Sequence, residues 1–363
     1  MPACLPVWRW DSRCAERNLP GPLWLPPSSQ GARGHPFFIP AVLRAPCESG
    51  KMQRRQWLGA AAGAAALAAA GVRMTSAHDV AQAAVQAGIA ELKPSPRMPV
   101  LFLGHGSPMN AIEDNAYRRS WQQLGQELLA QVERPQLVLC ISAHWLTQGG
   151  SFLTGMAQPR TIHDFGGFPP ELFAQQYPAP GAPQVATQLA AQLQMPHTRQ
   201  PLGVDPQAWG LDHGAWSVLQ PMFPDASIPV VQLSMDYSRP PAEHYALGQQ
   251  LRALRERGVL IVGSGNVVHN LRALQRTSSP QQAYDWAVDF DQMVARHVDQ
   301  GDLAGLVDFQ QLGPVAQMAH PSHDHYLPLL YAAGAVEGGE AVRSFNTDYQ
   351  MAAISMRSMV WGA

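Results

Sequence analysis

Cysteine is scarce in this chain and charge is thin. The cysteines are Cys4, Cys14, Cys47 and Cys140, with no Cys-x-x-Cys pair and no zinc-finger spacing. Three of them fall in the first 50 residues. Cys140, in a folded-looking segment, therefore has no local disulfide partner and reads as a small buried hydrophobe. Charged residues make up 14% of the 363, and the formal net charge is −2. That balance argues against a nucleic-acid partner or a polybasic membrane patch. No His-Glu-x-x-His is present to pair a zinc ion with a general base. Gly263-Ser-Gly-Asn fails the phosphate-cradling pattern Gly-x-Gly-x-x-Gly, because Val268 stands where the last glycine belongs. No internal repeat or low-complexity tract follows residue 98.

What is present begins with an N-terminal region unlike the rest. Residues 1–51 are rich in Pro, Arg, Trp and Cys and show neither helical nor strand periodicity. Met52-Gln-Arg-Arg-Gln-Trp-Leu-Gly and the Ala/Gly run to Val72 then lead to a small-residue exit near Thr75-Ser-Ala77. A charged start, a short apolar stretch and small residues describe an export signal over 52–77. The Arg54-Arg55 pair resembles the twin-arginine class. The run is too short and too Ala-rich for a comfortable membrane span. Export signals sit at chain starts, so Met52 is expected to be the true start and 1–51 a mistranslated or disordered leader. The location expected is the periplasm, with the cytoplasm as the alternative. Residues 78–97 read as a short helix and linker ending at Pro94-Ser-Pro96.

From Met98 onward, apolar runs and helical patterns alternate. Pro99–Gly104, Gln136–Ser142, Pro229–Met235 and Val259–Gly263 are continuous apolar runs of the kind buried on both faces of a sheet. Ala341–Thr347 and Met351–Val360 are further strand candidates. Helical spacing marks Tyr117–Val132, Gln184–Leu193, Ala215–Met222, Ala242–Arg257, Pro280–Gln300, Leu303–Phe309 and Tyr326–Val336. The pattern predicts an α/β fold: one domain over 98–363 with a central, mostly buried sheet flanked by helices.

Histidine is where the chemistry collects. His105, His144 and His269 each lie at or a few residues beyond the end of an apolar run. In open α/β sheets, functional groups gather in the crevice beyond the carboxyl ends of the strands. A fourth source is His320-Pro-Ser-His-Asp-His-Tyr, with three imidazoles and a carboxylate in six residues before an apolar helix. Neutral imidazole ligates zinc and iron and serves as acid or base near neutral pH. Each feature alone has a plainer reading, as a hydrogen-bonded strand-end histidine or as a polar loop capping a helix.

Taken in order, the motifs become specific. Phe102-Leu-Gly-His-Gly-Ser-Pro-Met-Asn110, Ser142-Ala-His-Trp145, Thr161-Ile-His-Asp-Phe-Gly-Gly-Phe-Pro169, Trp209-Gly-Leu-Asp-His-Gly-Ala-Trp216, Gly263-Ser-Gly-Asn-Val-Val-His-Asn-Leu271 and His325-Tyr-Leu-Pro-Leu-Leu330 resemble the class III extradiol ring-cleavage dioxygenases of the LigB type, in particular the 4,5-DOPA group. The resemblance covers about residue 98 to the end. It implies a LigB-like fold and a metal held by His105, His144 and His325, with His269 as fourth ligand or as the acid/base beside it. It also implies a small catechol substrate with O2, and Fe(II) as the working metal.

His269 and His213 are the candidates for the proton steps. His163, Asp164 and Tyr326 are expected to line the substrate pocket. His320 and His323 are expected to stand apart from the ion, and His197, His244 and His297 to face solvent. One feature sits awkwardly: non-haem iron oxygenases usually combine two histidines with a carboxylate. An all-histidine set also suits Zn(II), so a zinc-dependent hydrolase and a non-catalytic metal-binding module are the competing readings.

Overall fold

The computed structural model describes residues 91–275 and 279–363. The leader, the export signal and the first part of the linker expected from the sequence lie outside the described residues. What is described of the linker docks on the body of the protein: Leu92 is buried, and the Ser95 amide donates to Glu256 O at 2.9 Å.

Among the described residues ten strands form: β1 Val100–Gly104, β2 Leu137–Thr147, β3 Phe152–Thr154, β4 Gly203–Asp205, β5 Val230–Asp236, β6 Val259–Gly265, β7 Val342–Phe345, β8 Tyr349–Gln350, β9 Ile354–Ser355 and β10 Ser358–Trp361. Eight make one sheet in the order β4-β3-β5-β2-β6-β1-β10-β7, and β8 and β9 pair separately. The central four, β5-β2-β6-β1, are parallel, so their carboxyl ends share one edge. Antiparallel β3 and β10 join them on either side.

The central strands read as unbroken apolar runs because both faces are covered. Alternate residues feed two cores: Val100, Phe102, Leu139 and Ile261 point to one, and Leu101, Leu103, Val138 and Leu260 to the other. Among the described residues, eight α-helices supply the cover: α1 Ala116–Gln131, α2 Pro170–Phe173, α3 Pro183–Gln192, α4 His213–Met222, α5 Pro241–Gln250, α6 Asp285–Asp299, α7 Pro314–Ala319 and α8 Leu327–Ala335. Helices α1 and α4 lie on one face, with Trp121 and Trp216 fully buried; α3, α5, α6 and α8 lie on the other. Cys140 is buried and unpaired, as its sequence context suggested.

Several boundaries differ from the sequence reading. Strand β2 runs on to Thr147, so His144 and Trp145 lie within it rather than after it. The stretch Ala242–Arg257 is not one helix. Helix α5 stops at Gln250 and a 3-10 turn covers Arg252–Arg257, closed by left-handed Gly258. The tighter winding coincides with the inward turn of Arg255, whose guanidinium donates to Met98 O, Ala335 O and Glu340. Met351–Val360 is likewise not one strand, since Met351 and Ala352 adopt left-handed backbone and separate β8 from β9. The short β3 and β4 escaped the sequence reading, because three residues carry too little periodicity.

Candidate metal centre

The parallel edge delivers the histidines. His105 follows Gly104 directly at the end of β1. His144 sits where β2 changes partners: its pairing with β6 ends at Ser142, and its register against β5 shifts between Ile141 and Leu146. That irregularity separates the strand ends and turns the imidazole into the crevice. His325 comes from the loop before α8, and the end of β6 grips its carbonyl, which accepts from the Asn266 amide at 2.9 Å. Gly265 makes that approach possible. A Cβ there would lie 2.2 Å from His325 O.

Ligand nitrogens of His105, His144 and His325 all lie within 4.8 Å of one another. Their hydrogen bonds define which nitrogen is free. Ser264 Oγ donates to Gly214 O at 2.5 Å, so it accepts from His105 Nδ1–H at 3.0 Å. His325 Nδ1 donates to Asp324 at 2.7 Å, and His144 Nδ1 lies 3.3 Å from Asp164 Oδ2. In His105 and His325 the proton is thus on Nδ1 and the lone pair on Nε2, and the Asp164 carboxylate favours the same tautomer in His144. His105 Nε2 and His144 Nε2 then face each other at 3.3 Å. Two acceptors at that separation call for a cation between them. Burial, reinforced by the neighbouring imidazoles, pushes His105 and His144 well below the usual histidine range, which keeps them neutral. The donor set therefore fits a transition metal.

A second group, His144, Asp164 and His213, overlaps the first. Asp164 Oδ1 accepts both the amide and Nδ1–H of His213, each at 2.9 Å. Because Oδ1 is committed to His213 and Oδ2 lies against His144 Nδ1, the carboxylate acts as an anchor for the two rings rather than as a ligand. Burial would raise the Asp164 carboxyl, but His213 and His144 outweigh it and hold it below the usual range. For His213, burial lowers and Asp164 raises, and the net effect is upward. Asp324 repeats the pattern: burial opposes, the His325 imidazole wins, and the carboxyl is held down.

His213 opens α4, its ring centroid 3.9 Å from that of His144. Asp212 caps this helix, accepting from the Ala215 amide, and also takes hydrogen bonds from Ser142 Oγ, Gln232 and Trp209. His269 stacks on His325 face to face, with centroids 3.4 Å apart and planes 9° from parallel. Burial, with His325 beside it, lowers its pKa far below normal, so it is neutral.

Three expectations need correction: His269 as a ligand, Tyr326 in the pocket and His244 in solvent. His269 does not join the three clustered nitrogens: a ring stacked flat on His325 presents its face, not its lone pair, to that ligand. Asp164 sits beside the cluster, against His213 and His144. His163 stands outside the three clustered nitrogens, its Nε2 bonded to Gln175 O at 3.0 Å and its ring packed on Phe165, Phe173 and Trp216. Tyr326 is fully buried among Phe290, Phe309 and His320, donating to Leu306 O at 3.0 Å, and so belongs to the core. His244, expected in solvent, is buried as well. His320 packs inside with Nε2 on Val267 O, and His323 stacks on Tyr237. His197 pairs with Glu243, and His297 with Asp302.

Sequence reasoning missed Phe165, which faces His213 at 5.4 Å between centroids, and Ser264, which sets the His105 tautomer. Both lie inside the quoted motifs. What hid them is that an aromatic or a serine in a loop carries no chemical signal of its own.

Neutral imidazoles with oriented lone pairs, seated at the carboxyl edge of a covered parallel sheet, define a metal-dependent α/β enzyme. Comparison with known proteins narrows this. A family model described as the catalytic LigB subunit of aromatic ring-opening dioxygenase matches residues 99–359. A protein of Escherichia coli (strain K12) named 4,5-DOPA dioxygenase extradiol is 46% identical over 276 residues, which is 74% of this chain and 96% of that one. A Beta vulgaris protein of the same name is 35% identical over 234 residues, 64% of this chain and 85% of its own. The crystal structure of an uncharacterized Escherichia coli K12 protein matches with a TM-score of 0.61 at 41% identity, covering 73% of this chain and 100% of the other. The chain belongs to the LigB family, and it is a metal-dependent extradiol ring-cleavage dioxygenase.

Proposed function

We propose that the enzyme opens the ring of a small DOPA-like catechol with O2, using ferrous iron held by His105, His144 and His325. The observation that carries this reading is the convergence of three Nε2 lone pairs beside a His213–Asp164 pair. The relatives' names support the substrate class. Bound iron would couple electron flow from catechol to oxygen, which zinc, having no redox chemistry, does not do.

The protein's own part is proton handling and positioning. His269, kept neutral by burial, is suited to take a proton from a catechol hydroxyl. His213, whose affinity for a proton is raised through Asp164, is suited to stabilise the resulting anion and to return a proton when the ring opens. Phe165 contributes an apolar wall next to His213. Family membership weighs against the zinc hydrolase and the non-catalytic module.

Anaerobic reconstitution with Fe(II), then a catechol panel on an oxygen electrode, tests the proposal. Oxygen uptake with a yellow semialdehyde product is expected. No uptake with any catechol at full iron occupancy refutes it.

We further propose export through the twin-arginine pattern at Arg54-Arg55. No helix among the described residues is long and apolar enough to cross a membrane. Fractionation of cells expressing the wild type and an Arg54→Lys/Arg55→Lys double variant checks this. Equal periplasmic recovery of the two would count against it.

A further inference from the structure

A second polar site lies apart from the histidine cluster, where the turn after β2, the end of β5 and helix α8 come together. Ser151, Asp236, His244 and Tyr331 share one small cavity with Arg239 and Glu243. The first four side chains belong to residues no more than 2% exposed. The cavity, of about 10 Å3, has room for one water-sized body.

Its wall is made of oxygen lone pairs. His244 Nε2 lies 3.3 Å from Arg239 O, which can only accept, so Nε2 carries the proton. Nδ1 therefore accepts, and the Tyr331 hydroxyl 3.0 Å away donates to it, while the Ser151 hydroxyl approaches the same phenol oxygen. Asp236 Oδ1 accepts from the Gly149 and Ser238 amides at 3.1 Å and from Ser238 Oγ at 2.6 Å. Asp236 Oδ2 is buried without a hydrogen-bond partner, and Ser151 Oγ, also buried, has the Tyr331 hydroxyl beside it.

Nearby positive charge is engaged elsewhere. Arg239 donates to both oxygens of Glu243, at 3.0 and 2.6 Å, and His197 pairs with the same carboxylate at 2.8 Å. Among the described residues no basic side chain forms an ion pair with Asp236. Water would satisfy the open hydrogen-bond positions, but it adds no positive charge beside Asp236 Oδ2, and the Arg239 guanidinium, which feels this carboxylate, is committed to Glu243.

We propose that this cavity binds one monovalent cation of water size, of the potassium or ammonium class, through Asp236 Oδ2, Ser151 Oγ and the Tyr331 hydroxyl oxygen. A single carboxylate does not supply the ligand set of a dedicated calcium or magnesium site. The cation would clamp two strand ends to α8. Tyr237, next to Asp236, stacks on His323 at 4.5 Å and 17°, which links the clamp to the loop carrying His325.

The test uses the full chain with its catalytic metal equally loaded in every arm. Thermal unfolding is followed in potassium chloride against choline chloride at constant ionic strength. A saturable rise in Tm with potassium is expected, with the half-saturating concentration raised roughly fivefold in Ser151→Ala, the loss of one oxygen ligand, and no dependence in Asp236→Asn. Crystals soaked in a thallous salt should show an anomalous peak in the cavity. If the carboxylate variant does not fold, the serine variant and the thallium peak decide. Identical Tm values in potassium and choline, with a water and no anomalous signal in the cavity, overturn the proposal.

Discussion

Nothing in the residue types alone separates the histidines that face the ion from those that do not. His105 and His325 qualify because a serine or a carboxylate accepts their Nδ1–H, and His144 because the Asp164 carboxylate lies against its Nδ1. Replacing His105 or His325 by alanine is expected to abolish both metal retention and turnover, as read by metal analysis and oxygen uptake. His269→Ala should instead keep the metal while losing turnover, since that ring stacks on a ligand rather than joining the set. Loss of metal in His269→Ala to the same degree as in His105→Ala would show that it ligates after all. Asp324→Asn keeps the shape but weakens the acceptor for His325 Nδ1. Metal affinity should fall by roughly 10–100-fold, measured by competition with a chelator.

At the level of elements, Asp212 concentrates several duties in one carboxylate. It caps α4 and holds Ser142, Gln232 and Trp209. Burial, with Asp164 adding to it, pushes its pKa up to about 6 against the lowering pull of those hydrogen bonds. Asp212→Ala removes a cap worth about 1 kcal/mol and strands buried donors at roughly 1–3 kcal/mol more. Tm should drop by about 5–10 °C, and kcat should fall because α4 presents His213. An unchanged Tm would refute the capping role. Such boundaries were only partly legible in the chain. The central strands announce themselves as apolar runs, whereas the bulge in β2 and the 3-10 turn at Arg252–Arg257 answer to distant partners that no local pattern contains.

For the molecule as a whole, burial of neutral histidines sets the acid limit. Burial pushes His244 and His320 down to about 4 from 6.5, against the backbone carbonyls that raise them. A histidine with a depressed folded pKa contributes its stability fully above the unfolded value. That contribution is lost as pH falls, because the unfolded chain takes up the proton first. Stability should therefore decline between about pH 6.5 and pH 4, by an amount on the order of 2–3 kcal/mol per residue. Denaturant unfolding across that window measures the slope, and His244→Gln should flatten it. A variant as acid-sensitive as the wild type would sink this assignment.

By itself, the sequence determined the α/β class and where along the chain its central strands lie, because a sheet covered on both faces needs unbroken apolar runs. It also determined the identities of the histidines around the site, since the motifs carrying them are local and specific. Only the tertiary structure decided what each one does. Whether a ring offers a lone pair, a proton or a flat face depends on which group lies against its other nitrogen. Ser264, Asp324 and Asp164 reach those nitrogens through the fold: Ser264 comes from another strand and Asp164 from a distant loop, and even adjacent Asp324 bonds His325 only because the loop turns it inward. For the same reason Tyr326, one residue from a ligand, ends in the core: at the entry to α8 the chain turns its ring toward Phe309 and away from the crevice.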